Sequence, residues 1–236
     1  ALKDAFSGGL MKEGANVLDC GIASTPAMFM STVMDPPGAD AGVMLTASHL
    51  PFNRNGFKFF TAEGGLDKKD ITDILEIASG DIPDTYAEPG SMNNAELLSD
   101  YASFLVESIR KGVNDPEDYD HPLKGLKIIV DAGNGSGGFF ADMVLEALGA
   151  DTQGSQFLDP DGTFPNHIPN PENPDAMDSI CQAVIKEKAD LGIIFDTDVD
   201  RAAIVDALGS PVNRNELIAL ISAIILEEHP GSVVVT

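Results

Sequence analysis

With 236 residues, 43% of them hydrophobic and 22% charged, the chain has the composition of a soluble globular protein of one large or two ordinary domains. No apolar run reaches the ~18 residues of a membrane helix, and two cysteines are too few for a disulfide framework, so we expect a protein of the reducing cytoplasm. The formal net charge of −24, from 38 acidic and 14 basic residues, repels the phosphates of nucleic acid and anionic lipid, so we expect neither as a partner.

Helix and strand patterns alternate along the chain. Three times an amphipathic helix pattern leads into a short β-branched strand, at residues 15–19, 127–131 and 232–236, which predicts an α/β fold. The first two strands end in the same Asp-x-Gly triplet, at 19–21 and 131–133. This repeated triplet suggests structural units of related topology.

A loop rich in polar and turn-forming residues follows a short apolar strand at residues 42–45. Ser48 lies next to His49 in this loop, and Pro51 and Gly56 shape its backbone. A serine at the end of a strand is a candidate nucleophile. An isolated Ser-His pair is more often a simple turn in which the serine only caps a helix or donates a local hydrogen bond.

Apolar residues at helical spacing predict a long helix from Leu97 to Ile109, with Asn93 and Asn94 as candidate caps and Gly112 at its far end. The segment at 114–122 that follows is polar and interrupted by proline. Such a composition is typical of a connection between domains.

A glycine-rich segment, Gly133-Asn-Gly-Ser-Gly-Gly138, follows the second predicted strand and precedes a predicted helix at 139–148. The pattern matches the dinucleotide-binding motif. A dinucleotide fold also needs a second strand that ends in an acid about 20 residues on, and residues 151–157 make a poor apolar strand. We therefore expect these glycines to let the loop approach a neighbouring strand.

Three carboxylates at alternate positions follow the apolar run at 189–195. Asp196, Asp198 and Asp200 stand two residues apart, and Arg201 comes directly after them. In an extended segment such residues point to one side, so they can converge on one hard divalent cation.

The acidic segment has three interpretations other than a metal site. A calcium-binding hand loop requires Gly at its sixth position and Glu at its twelfth, but Arg201 and Ala207 stand there. A phosphatase of the aspartyl-phosphate type, using Asp196 and Asp198, remains an alternative. A solvated acidic turn after a buried strand remains another.

The end of the sequence suggests a further domain. A helix pattern at 215–228 leads into the predicted strand at 232–236, and such a strand would be half covered without another layer. We therefore expect both ends of the chain to lie within a longer protein. The predicted organisation is domain 1 at residues 1–113, domain 2 at 114–210 and the beginning of domain 3 at 211–236.

Four segments, in order, resemble the α-D-phosphohexomutases, the phosphoglucomutase and phosphomannomutase family. Residues 46–58 resemble its phosphoserine loop, 124–138 and 160–172 resemble its second domain, and 196–201 resemble its metal loop. The sequence departs from the family pattern at three positions in these loops. Leu50 replaces an asparagine, and Thr197 and Val199 replace glycines.

The resemblance implies tandem three-layer α/β/α domains of related topology with mixed sheets. It also implies that Ser48 carries a phosphoryl group that moves between C1 and C6 of a glucose or mannose phosphate through a hexose 1,6-bisphosphate. Phosphoglucosamine is an alternative substrate. The family has four domains, so domains 3 and 4 of the same chain are implied partners, and the fragment alone is expected to be inactive.

The family's site residues map onto this sequence one by one. By resemblance, one Mg²⁺ is held by Ser48, Asp196, Asp198 and Asp200. Arg201 binds phosphate, and Lys58, with His49 beside it, acts as general acid or base. Lys58 is expected to have a lowered pKa if it is desolvated near other cations. His167 is expected to be a structural histidine of domain 2.

Overall fold

The computed structural model describes residues 1–51, 53–80 and 88–234 of the chain, and within these ranges helices and strands alternate. The predicted α/β fold is therefore confirmed, with both parallel and antiparallel strand pairs. The elements of the first part of the chain are α1 (Leu2–Lys12), β1 (Val17–Asp19), α2 (Thr25–Met30), β2 (Gly42–Leu45), β3 (Phe57–Thr61), β4 (Gly64–Gly65), α3 (Lys68–Ser79), β5 (Met92–Asn94) and α4 (Leu97–Val113).

The second part of the chain contains one three-stranded sheet between helices. β7 pairs in parallel with β6 and antiparallel with β8. A segment of short 3₁₀ and π turns replaces the regular helix expected at 139–148. The elements are β6 (Ile128–Asp131), 3₁₀ turns at Ser136–Gly138 and Glu146–Leu148 that flank a π-helix at Phe140–Leu145, α5 (Pro174–Glu187), β7 (Leu191–Phe195), β8 (Ala202–Asp206) and α6 (Arg214–Glu228).

Both faces of the β6-β7-β8 sheet are buried, which explains the continuous apolar runs of its strands. Ile129 and Ile194 pack on one face, in the cluster that contains α5 residues such as Ile180. Val130 and Phe195 pack on the other face, against the π-helix. The carboxyl end of β7 is therefore held firmly, and the acidic loop starts there.

Helix α4 connects the cores of the two parts of the chain. Leu97 and Tyr101 pack in a cluster with Ala27 of α2. Ala102 and Val106, further along the same helix, pack with Val144 of the π-helix. One continuous helix thus packs against both parts of the chain.

Three details of the sequence-based prediction are wrong. Asn93 and Asn94 lie in β5, paired with β1, so they do not cap α4. Gly112 lies inside α4, and Asn114 ends the helix in a left-handed conformation. Residues 232–234 are not in a strand, and the rest of the strand expected at 232–236 lies outside the described residues.

The Asp-x-Gly triplets after β1 and β6 adopt the same local turn. The Asp19 and Asp131 carboxylates each accept a hydrogen bond from the backbone N–H two residues on, at 3.1 and 2.9 Å. Gly21 and Gly133 both have a positive φ, of 62° and 54°, which glycine adopts without steric cost. Of the described helices, none is both long and apolar enough to span a bilayer.

His167 fastens a long loop to the end of β6. Its Nε2 lies 3.0 Å from each oxygen of the fully buried Asp131 carboxylate, and its Nδ1 lies 3.0 Å from the carbonyl oxygen of Ile168. A carboxylate and a carbonyl oxygen both accept hydrogen bonds, so this arrangement favours the doubly protonated ring. Burial lowers the pKa of His167, but the hydrogen bond and charge of Asp131 outweigh it and raise the pKa above its ordinary value.

We expect this pair to make stability depend on pH. A raised histidine pKa gives stability that is complete below the unfolded pKa of about 6.5 and is lost as pH rises through the folded pKa. The wild type should therefore exceed His167→Asn in free energy of unfolding most at pH values below about 6.5. This difference should shrink as the pH rises through the folded pKa of His167. Urea unfolding across the pH series measures it, and Asp131→Asn should remove the same slope. A difference that stays constant with pH would contradict the charged pair.

Candidate active site

The structure brings the serine loop and the acidic loop together. Ser48 follows β2, and its Oγ donates a hydrogen bond of 2.9 Å to Oδ2 of Asp196, which follows β7 and lies 148 residues further along the chain. Asp196 has no exposed surface. Since a buried carboxylate is costly unless it is paired, this contact needs further partners.

Arg201 supplies the positive charge at this contact. Its Nη2 donates to Ser48 Oγ at 2.9 Å and to Asp196 Oδ2 at 2.8 Å, and it also contacts Nδ1 of His49. The backbone N–H of Arg201 donates to the other Asp196 oxygen at 3.1 Å. The guanidinium therefore lies directly beside the serine hydroxyl, where it can bind a group attached to that oxygen.

The serine is held in an uncommon backbone conformation. Ser48 has a positive φ of 51°, which few residues other than glycine adopt. Its N–H donates to Oγ1 of Thr46 at 2.8 Å, which stabilises the turn. His49 Nδ1 lies 3.4 Å from Ser48 Oγ.

The other two acidic residues of the loop contact Lys58. This lysine lies on β3, opposite Met44 of β2, and its Nζ donates at 2.7 Å to both Asp198 Oδ2 and Asp200 Oδ2. Asp198 is buried, whereas Asp200 is exposed. Arg201 Nε lies 3.7 Å from Asp200 Oδ1 and joins this group to the serine. All seven predicted site residues thus lie in one connected cluster: Ser48, His49, Lys58, Asp196, Asp198, Asp200 and Arg201.

The expectation of a lowered pKa for Lys58 is wrong. Burial does lower it, but hydrogen bonds and charges from Asp198 and Asp200 outweigh burial and raise the pKa of Lys58 above its ordinary value. Its neighbours in this site are anions, whereas the lowered value required neighbouring cations. In this arrangement Lys58 carries its proton.

The two buried carboxylates differ in their titration. Burial and the charge of Asp198 raise the pKa of Asp196 despite its hydrogen bonds from Ser48 and Arg201. Burial also opposes ionisation of Asp198, but hydrogen bonds from Lys58 and Thr25 hold the pKa of Asp198 below its ordinary value. Further positive charge would favour ionisation of the whole group.

The acidic residues fit a hard cation. One oxygen from each of Asp196, Asp198 and Asp200 lies within 4.8 Å of the others. The Oδ1 atom of Asp198 is buried and has no hydrogen-bond partner among the described residues. Oxygen ligands of this kind suit Mg²⁺, so the three carboxylates could hold a metal ion.

The glycine-rich loop at residues 133–138 packs against the acidic loop. The Ser136 N–H donates to the Thr197 carbonyl at 2.8 Å, and a Cβ on Gly135 would collide with Thr197. A Cβ on Gly137 would likewise collide with Phe195 of β7, so these glycines let the loop approach a neighbouring strand, as expected. Val199 takes a φ of 65°, so this β-branched residue adopts a conformation that the family's glycine adopts without strain.

Sequence reasoning missed two residues that contact this cluster. The Thr25 hydroxyl, at the start of α2, donates to Asp198 Oδ2 at 2.7 Å, and Asn170 Oδ1 accepts from Arg201 Nη1 at 3.1 Å. Ser24 and Pro26 signal the start of a helix. No local pattern indicates that this helix start faces a loop 173 residues away.

Comparison with known proteins identifies the family of the chain. The family model for alpha/beta/alpha domain I of phosphoglucomutase/phosphomannomutase matches residues 1–81, and the model for domain II matches residues 101–209. The chain belongs to this family. The proposed domain boundaries at 113 and 210 stay predictions, since the family models mark only the matched residues.

Several relatives match almost the whole chain. A phosphomannomutase of Salmonella montevideo is 35% identical over 245 residues, covering 100% of this chain and 51% of the relative. A phosphomannomutase/phosphoglucomutase of Pseudomonas putida is 33% identical over 228 residues, covering 96% of this chain and 46% of the relative. The chain thus spans about half the length of the curated relatives it matches.

A solved structure shows the same fold. The crystal structure of a phosphoglucomutase/phosphomannomutase family protein from Burkholderia thailandensis superposes with a TM-score of 0.79 at 26% identity. The match covers 98% of this chain and 49% of that one. The predicted phosphohexomutase-type fold is therefore confirmed.

Proposed function

We propose that this chain is the phosphoserine- and metal-binding part of a phosphohexomutase, an isomerase that moves phosphate between C1 and C6 of a hexose phosphate. One observation carries the proposal: Ser48 Oγ lies 2.9 Å from both Asp196 Oδ2 and Arg201 Nη2. A phosphoryl group on this oxygen would lie between a guanidinium and an acidic cluster that fits a cation. Phosphoryl transfer requires positive charge on both sides of the moving group.

Ser48, Asp196, Asp198 and Asp200 would hold one Mg²⁺. When bound, the ion supplies Lewis-acid polarisation of the phosphoryl oxygens and offsets the charge that develops on them. Arg201 binds the same phosphoryl group through charge-assisted hydrogen bonds. Asp196 is fully buried and hydrogen-bonded to both Ser48 and Arg201, so it holds the serine and the guanidinium in position.

The reaction moves one phosphoryl group and one proton at a time. The bond from phosphorus to Ser48 Oγ breaks as a bond to a substrate hydroxyl oxygen forms. The hydroxyl proton passes to a base, and an acid supplies a proton to the departing Ser48 Oγ. The hexose 1,6-bisphosphate formed then returns its other phosphate to Ser48. His49, 3.4 Å from Ser48 Oγ, is the candidate to accept the hydroxyl proton. Lys58, which carries its own proton in this arrangement, is the candidate to supply a proton to the departing Ser48 Oγ.

The substrate is proposed to be a glucose or mannose phosphate. The named relatives are phosphomannomutases and phosphoglucomutases, and phosphoglucosamine is the alternative sugar. An aspartyl-phosphate phosphatase mechanism is disfavoured because Asp196 is fully buried and bound to Ser48 and Arg201. We place the enzyme in the cytoplasm, with hexose 1,6-bisphosphate as its activator.

An assay of mutase activity tests the function directly. We expect a protein that joins this chain to domains 3 and 4 to interconvert the 1- and 6-phosphates of mannose or glucose in the presence of Mg²⁺. We expect the 236-residue chain alone to show less than about 1% of that turnover, because substrate positioning contributes at least this much to the rate. Comparable turnover by the two proteins would contradict the need for the other domains.

Removing the Lys58 charge should tighten Mg²⁺ binding. The ammonium donates to Oδ2 of Asp198 and Oδ2 of Asp200 at 2.7 Å, so its positive charge competes with a metal ion for the same two carboxylates. We expect Lys58→Met to lower the Mg²⁺ dissociation constant roughly tenfold, ~1.4 kcal/mol, by isothermal titration calorimetry. Lys69→Met, which removes an exposed ion pair with Asp73, is the control. Weaker Mg²⁺ binding by Lys58→Met would contradict the competition.

A further inference from the structure

Asp198 uses its two carboxylate oxygens unequally. Oδ2 accepts hydrogen bonds of 2.7 Å from both the Thr25 hydroxyl and Lys58 Nζ. Oδ1 is buried and has no partner among the described residues. A buried carboxylate oxygen needs a hydrogen bond or a cation. Oδ1 is therefore the atom of Asp198 that remains available as a metal ligand.

Thr25 contacts the acidic loop from a rigid position. It is the first residue of α2, and its N–H donates to the Asp198 carbonyl oxygen at 2.8 Å. The Ser24 side chain caps the helix by accepting from the Ala27 N–H at 3.1 Å. Both groups of Thr25 that contact Asp198 are thus fixed by the start of one helix, and the residue itself is only 8% exposed.

We propose that Thr25 is a positioning residue for the metal site. Its hydroxyl holds Oδ2 of Asp198 and so sets the rotation of the carboxylate that leaves Oδ1 free for the ion. The inference rests on the proposed function, since it concerns the same Mg²⁺. Side chains that orient a metal ligand in this way typically change metal affinity 10- to 100-fold when they are removed.

The lysine cannot perform this role in place of Thr25. Lys58 is a long side chain with 32% of its surface exposed, and it divides its bonds between Asp198 and the exposed Asp200. Its positive charge also repels a metal ion that binds the same two carboxylates. The Thr25 hydroxyl is neutral and buried, so it can stay bound to Oδ2 while Oδ1 ligates the ion.

The test compares metal affinity in variants that remove or keep the Thr25 hydroxyl. Thr25→Val keeps the shape of the side chain and the backbone bond to Asp198, and Thr25→Ser keeps the hydroxyl. We expect Thr25→Val to weaken Mg²⁺ and Mn²⁺ binding about tenfold and Thr25→Ser to keep an affinity close to that of the wild type. Isothermal titration calorimetry measures both affinities. Thr32→Val is the matched control, because Thr32 is also 8% exposed but its hydroxyl donates to the Phe29 carbonyl.

Each outcome decides the inference. Equal metal affinity in Thr25→Val and the wild type overturns it while the proposed function stands, and so does an equal loss in the valine and serine variants. A wild-type protein that binds neither ion overturns the metal site, and with it both proposals. If circular dichroism shows that Thr25→Val does not fold, Thr25→Ala takes its place in the comparison with Thr25→Ser.

Discussion

Ser48→Ala is expected to lower mutase turnover about 10⁴-fold or more, the effect typical of removing an enzymatic nucleophile. The alanine leaves no oxygen between Arg201 and Asp196, so no phosphoryl group can be carried there. The remaining cations still bind substrate phosphate, so KM should change far less than kcat. A coupled assay of hexose 1-phosphate conversion measures both.

The matched control for this change is Ser31→Ala. Ser31 is 3% exposed, and its hydroxyl donates to the Met28 carbonyl oxygen, within the same part of the chain but outside the active site. We expect wild-type turnover from this variant at a temperature where it is folded. Turnover by Ser48→Ala within tenfold of the wild type would show that another group carries the phosphate.

Asp198→Asn is expected to weaken Mg²⁺ binding about 100-fold or more, beyond the usual effect of a residue that only orients a ligand. The amide keeps the size of the side chain and an oxygen that can accept from Thr25, but it loses the negative charge. The fold should stay largely intact, because the change removes a buried charge without making a cavity. Calorimetric titration with Mg²⁺ and thermal unfolding without metal measure the two effects.

Variants of two further aspartates compare how much each carboxylate contributes to metal affinity. Asp200→Asn should weaken Mg²⁺ binding less than Asp198→Asn, because Asp200 is exposed and its charge is screened by water. Asp161→Asn, on an exposed loop where the carboxylate accepts from Thr163, should leave the affinity unchanged. Unchanged Mg²⁺ affinity in Asp198→Asn would exclude this carboxylate from the metal site.

Much of the candidate site could be predicted because its residues sit in short, ordered motifs. The alternation of Asp196, Asp198 and Asp200 after a buried strand indicates convergence on one side, and the structure places one oxygen of each within 4.8 Å. The family resemblance joined this segment to Ser48 although the two are far apart in sequence. Periodicity alone could not have made that connection.

Contacts between distant segments explain what the sequence did not reveal. The pKa of Lys58 depends on Asp198 and Asp200, which are 140 and 142 residues away, so its direction could not be read from β3. Asn93 and Asn94 look like helix caps locally, yet pairing with β1 takes them into a strand. In both cases tertiary contacts override local preference.

The central claim is that Ser48 carries the phosphoryl group beside a metal-binding cluster. The most direct test is intact-mass and peptide analysis of the protein after incubation with glucose 1,6-bisphosphate and Mg²⁺, for the wild type and Ser48→Ala. We expect the wild type to gain the mass of one phosphoryl group, located on the peptide that contains Ser48, and Ser48→Ala to gain none. Equal phosphorylation of both proteins would contradict the account.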